Sequence, residues 1–168
     1  GYIEGAAINE RATLESVAEL GSDQSLFLQD LSSLKSAVEG IEKSCLLVLE
    51  SQMKVRAEQL RLKPIRLSKT PLEERASKLV PIPTDKIKEN GYQGYRNAIS
   101  NARKEMKKDQ PARRSFRSAS EIQLLCNGQN SALDMKKMAD TQFKQETDLQ
   151  AILDHLDVLK AAGLVTWK

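Results

Sequence analysis

Aromatic side chains are scarce in this chain: three Phe, three Tyr and one Trp make up 4% of its 168 residues. That supply suits helices better than the strands of sandwiches and barrels, which draw on aromatic and β-branched side chains. Cysteine is equally sparse. Cys45 and Cys126 lie far apart, so no disulfide framework is expected, and both are read as free thiols in a reducing, intracellular compartment. No apolar run approaches the roughly 18 residues that a membrane-spanning helix needs, and no membrane span is expected.

Motifs that carry chemistry are also missing. The single histidine, His155, has no HxxxH partner and the chain has no CxxC pair, which disfavours zinc. Asp157 is two residues from His155 and points to a different side of a helix, so a packing or solvated histidine is expected instead of an acid–base pair. The stretch NGYQG at 90–94 has two glycines but neither the lysine nor the hydroxyl of a phosphate loop, and reads as a helix-breaking turn. Neither cysteine has a histidine close in sequence to activate it. The expectation is therefore no catalytic residue, no metal and no cofactor: a protein that is not an enzyme.

Helical periodicity is what the chain has in abundance. From residue 27 to 55, Phe27, Leu31, Leu34, Val38, Ile41, Cys45, Val48 and Val55 recur in four-three alternation, interrupted only by Gln52. With Leu31, Val38 and Cys45 at a, Leu34, Ile41, Val48 and Val55 fall at d and Gln52 at a; Leu28, Lys35, Glu42, Leu49 and Arg56 flank them at e. A seam held for about four heptads marks a helix packed lengthwise on other helices. The leucines at e and the run CLLVL at 45–49 widen it beyond what a two-stranded coil buries, so three or more helices are expected to meet there. Gly40, inside the helix, costs about 1 kcal/mol relative to alanine and points to close approach or a bend.

Punctuation divides the rest. Residues 1–7 lack a periodic pattern and read as a loose tail, with a short helix capped by Asn9 and stopped by Gly21. The long helix is expected from about 24 to 62, ended by Pro64. Thr70, Pro71 and Glu73 form a helix start, and Pro81 and Pro83 in VPIPT an extended link. Beyond it, Asn90 and Gly91 break a short helix. Further helices are expected at about 92–108, at 118–125, from near Ala132, and from Thr147 or Asp148 to Ala162, closing on Gly163. The domain reading is an N-terminal helical arm at 1–63, a Pro-punctuated basic linker with a short helix at 64–83, and a C-terminal helical module at 84–168.

The net charge of +3 is too small to argue for nucleic acid, but it is unevenly spread: residues 1–60 hold ten acids and five bases, residues 84–168 eleven acids and fifteen bases. The densest basic run, RKEMKKDQPARRSFR, places Arg103, Lys104, Lys107, Lys108, Arg113, Arg114 and Arg117 together with one aromatic, Phe116. Such a run can hold a polyanion, whether nucleic acid or the acidic surface of a cytoskeletal polymer. It also reads as a solvated helix end, where cations are favourable for local reasons.

The final run, TDLQAILDHLDVLKAAGLVTWK, resembles the last helix and first wing strand of a winged-helix domain. That resemblance implies that residues 118–128 and 132–145 supply the preceding helices. The fold expected is mainly all-α: a long coiled-coil-like helix plus a small, winged-helix-like C-terminal module with a short terminal strand. The function expected is that of a non-catalytic structural or scaffolding subunit, docking other protein subunits, of its own kind or another, through the long helix. The alternative is a nucleic-acid- or cytoskeletal-polymer-binding protein using the basic C-terminal module.

Overall fold

Helix dominates the computed structural model, which describes residues 1–20, 25–63, 68–106 and 119–168. Among the described residues it has eight α-helices and one two-stranded sheet, divided between two units, Gly1–Ser68 and Lys69–Lys168.

The first unit is a helical hairpin of α1 (Tyr2–Leu20) and α2 (Ser25–Gln59). Residues 1–7 are not the expected loose tail: they form the first turns of α1, in which Gly5 and Ala7 are buried. Ala7 lies beside Val38 and Glu42 of α2, and its small side chain lets the helices approach where a larger one would hold them apart. Asn9 is accordingly inside the helix, not at its cap; its carbonyl accepts the Thr13 hydroxyl at 3.0 Å. The helices run antiparallel, because Arg11 pairs with Glu42 at 2.8 Å while Glu15 pairs with Lys35 at 3.5 Å. At its end α2 turns at Arg61, φ 53°, where the Leu62 N–H donates to the Ala57 carbonyl. The helix therefore stops before Pro64. The expected stop at Gly21, and Pro64 itself, lie outside the described residues.

The second unit is built around α8 (Leu149–Ala161), eight of whose 13 residues are buried. It is packed by α3 (Pro71–Lys78), α5 (Arg96–Glu105), α7 (Ala132–Phe143) and β2 (Val165–Trp167). Side-chain caps hold three of the unit's helix starts. The Thr70 hydroxyl accepts the Glu73 N–H and the Glu73 carboxylate accepts the Thr70 N–H; Ser131 and Asp134 reciprocate in the same way, and Asp148 accepts the Gln150 N–H. Gly163, φ 70°, closes α8, with the Leu164 N–H on the Leu159 carbonyl at 3.0 Å. The expected helix at about 92–108 is instead a 3₁₀ turn over Tyr92–Tyr95 followed by α5, the change falling at Tyr95, φ −113°.

Within 64–83, read from the sequence as a linker with a short helix, Pro71–Lys78 and Pro81–Pro83 form α3 and the strand β1 of this unit. Ala76 of α3 is fully buried in its core. Strand β1 pairs antiparallel with β2, Ile82 opposite Thr166. Its prolines are tolerated because they alternate: Pro81 turns its carbonyl to the Gly128 N–H at 2.9 Å, so a missing N–H there costs the ladder nothing. Gly128 has φ 76°, and a Cβ on it would sit 3.4 Å from Ile82 Cγ1, which makes glycine the fitting residue. Helices α4 (Asp85–Asn90) and α6 (Ala119–Leu124) complete the unit.

Candidate functional site

The seam read from the sequence divides on the hairpin. Its beginning goes to α1: at the a positions Leu31 is buried and Val38 half-buried, and Phe27, the first d position, is half-buried too. The later d positions do not. Leu34, Ile41, Val48 and Val55 are 51%, 63%, 57% and 51% exposed, and Cys45 and Gln52 beside them are exposed too. A helix rotates about 100° per residue, so d residues lie a quarter turn from the e positions Lys35 and Glu42, whose side chains pair with α1. One neighbouring helix covers one side of α2 and leaves the other open.

Length adds to the mismatch. Helix α2 has 35 residues and α1 has 19, about 52 Å against about 28 Å at 1.5 Å per residue. Ile3, near the start of α1, lies beside Ser44, Val48 and Gln52, so α1 reaches no further along α2 than this. Past that point Met53, Val55, Leu60 and Leu62 are all more than half exposed. Along the edge of α1, Ile3, Ala6, Val38, Ile41 and Cys45 line an open apolar hollow of about 280 Å³. The three or more helices expected at 45–49 are not met within the described residues, where Leu47, Val48 and Leu49 are exposed.

The basic cluster is only partly described. Lys107, Lys108, Arg113, Arg114 and Arg117, with Phe116, lie outside the described residues. Lys104 is exposed on α5, whereas Arg103 is half-buried with Nη2 3.5 Å from His155 Nδ1. The exposed and half-buried positions of α8 carry Gln150, Asp154, Asp157, Lys160 and Ala161, two acids against one base, which gives a phosphate backbone no net attraction. Helices α7 and α8 and strand β2 follow one another along the chain, and β2 pairs with β1, which precedes α4.

Titratable groups in the second unit are held out of reactive states. His155 is 2% exposed, and burial, with Arg103 adding to it, pushes its pKa down to about 4; it is a neutral core residue. Gln123 Nε2 lies 3.5 Å from its Nε2. The Cys126 thiol, buried and donating to the Ile122 carbonyl, is pushed up to about 12 by burial, and the adjacent Tyr92 hydroxyl is raised for the same reason. A hollow lined by Thr70, Glu73, Lys136, Glu146 and Asp148 has its acids engaged: Glu73 and Asp148 cap helices, and Lys136 lies 2.6 Å from Asp140 and 3.9 Å from Glu146. Among the described residues there is no group of three metal-ligating side chains, and no helix is long and apolar enough to cross a membrane. Comparison with protein-family models, with characterised proteins and with solved structures finds no match to this chain.

Proposed function

We propose that this protein is a non-catalytic structural subunit of a protein assembly, and that it docks a partner helix along the exposed d-side of α2. One observation carries the reading: four large aliphatic side chains spaced seven residues apart, each more than half exposed, on a helix about twice as long as the one that packs on it. Burying a Val, Leu or Ile side chain fully contributes about 1.5–3 kcal/mol, so half-exposed residues repeated along one line offer a partner helix several kcal/mol. Gln52, within the seam, is compatible only with registers that give its amide a hydrogen-bond partner, which disfavours shifted pairings.

The basic C-terminal module has less behind it as a polyanion-binding surface. Of the two described bases of the run at 103–117, Arg103 is turned toward His155 and only Lys104 is exposed. Affinity purification from the native source at native salt, with mass spectrometry of what co-purifies, tests the docking reading. The unaltered chain is expected to bring down companion subunits or further copies of itself, and Ile41→Asp to lose them. The same set of companions with Ile41→Asp would refute it.

A further inference from the structure

The open side of α2 has a pattern of its own. Three residues after each of the middle d residues stands a small one: Leu34 then Ala37, Ile41 then Ser44, Val48 then Ser51, all exposed; at the two ends the small residue is replaced by an acid, Phe27 then Asp30 and Val55 then Glu58. Val38, Cys45 and Gln52 flank these rows toward α1, and Ser33, Gly40 and Leu47 flank them on the other side. From Ser33 to Gln52 this whole side carries no charge. Gly40 has nothing within 4 Å of where its Cβ would be, so it keeps the surface low midway along the face. Of the five charged residues of this stretch, Glu39, Lys43 and Glu50 are on the opposite side of the helix, and Lys35 and Glu42 pair with α1.

Charged residues beside an apolar seam are what select a foreign helix and set its direction; here Glu10 and Glu42 stand only along the α1 edge, Asp30 and Glu58 only at the ends of the small row, and the rows between hold none. What remains is a large row next to a small row, and that relief fits itself when turned end for end. In an antiparallel pair, Leu34 of one copy meets Ser51 of the other, Ile41 meets Ser44, and Val48 meets Ala37, with every pair repeated by the twofold axis. A shift of one heptad preserves the large-on-small matching. A parallel pair would instead set large on large and small on small, leaving uneven gaps that close packing disfavours. It would also place Asp30 and Glu58, the end members of that row, each against its own copy as like charges, whereas the antiparallel pair sets Asp30 beside Val55 and Glu58 beside Phe27.

We infer that the occupant of this face is a second copy of the chain, its α2 antiparallel to the first across a twofold axis near residues 42–46. This rests on the docking reading above and adds the identity and direction of the partner. An isologous contact of this kind is the commonest route to a closed dimer.

The test uses the purified full chain. Sedimentation equilibrium is expected to give twice the 18.7 kDa chain mass at micromolar concentration, and Ile41→Asp to give the chain mass. Direction is read independently in the otherwise unaltered interface by a nitroxide at Gln59→Cys in a Cys45→Ser background. At 1.5 Å per residue from a centre near 42–46, antiparallel pairing puts the two labels about 40–50 Å apart, and parallel pairing within about 20 Å. The dimer mass with the long distance supports the inference. A dimer with the short distance overturns the direction. A monomer throughout overturns the second copy, while the docking reading is then decided by whether Ile41→Asp still loses its companions in the purification. A dimer that Ile41→Asp leaves intact overturns both.

Discussion

His155 couples the second unit to pH. In the unfolded chain its imidazole titrates near 6.5, whereas in the core it titrates near 4. Between those values the unfolded chain holds the extra proton, so the stability present above pH 6.5 is lost as pH falls toward 4. From pH 7 to pH 5 the loss is about 2 kcal/mol, at 1.4 kcal/mol per pH unit below 6.5. Urea unfolding followed by Trp167, the one tryptophan, which sits in β2 under the Lys160 ammonium, measures this directly. His155→Met is expected to flatten the dependence between pH 7 and pH 5. An unaltered chain as stable at pH 5 as at pH 7 would contradict the burial argument. Sequence alone left this histidine undecided between packing and solvent, because neighbours such as Arg103 and Gln123 come from distant segments.

At the scale of elements, the α1–α2 pairing is set by small residues and by charges. Arg11 and Glu42 are 28% and 18% exposed at the side chain, a pair worth about 1 kcal/mol. Glu42→Lys is expected to weaken protection of α1 amides in hydrogen exchange, and the double exchange Arg11→Glu with Glu42→Lys to restore it to within about 0.5 kcal/mol. A double variant no better than the single one would remove the pair from the account. Helix starts were legible in the sequence wherever a side chain makes the cap, as at Thr70, Ser131 and Asp148, since that chemistry is local. The first turns of α1 were not, because Gly5 and Ala7 look like tail residues until a second helix lies against them. Strand β1 was hidden by its prolines, whose alternate placement matters only once β2 is opposite. The α2 seam was legible as a line of apolar residues; which half α1 would take depends on Lys35 and Glu42 finding their partners across the hairpin.

At the scale of the whole molecule, the two units differ in how much they bury. Among the described residues Ala7 and Leu31 are the buried hydrophobics of the first unit, and all the others belong to the second. A helical hairpin with so small a core is marginal alone, so its stability is tied by mass action to whatever covers α2. With a second copy there, unfolding of the full chain is expected in two phases. The midpoint of the phase in which α1 and α2 lose their amide protection rises with protein concentration; the Trp167 phase stays fixed. Two phases that both ignore concentration would leave the hairpin stable without a second copy.

The central claim is that one side of α2, and not the helix in general, makes the assembly. Native mass spectrometry of the purified assembly tests it most directly, comparing Ile41→Asp on the open apolar side with Ser32→Asp, which places the same charge half a turn round the same helix on its exposed polar side. Ser32→Asp is expected to keep the assembly mass of the unaltered chain, and Ile41→Asp to appear as the free chain. Equal masses for the two variants would contradict the account.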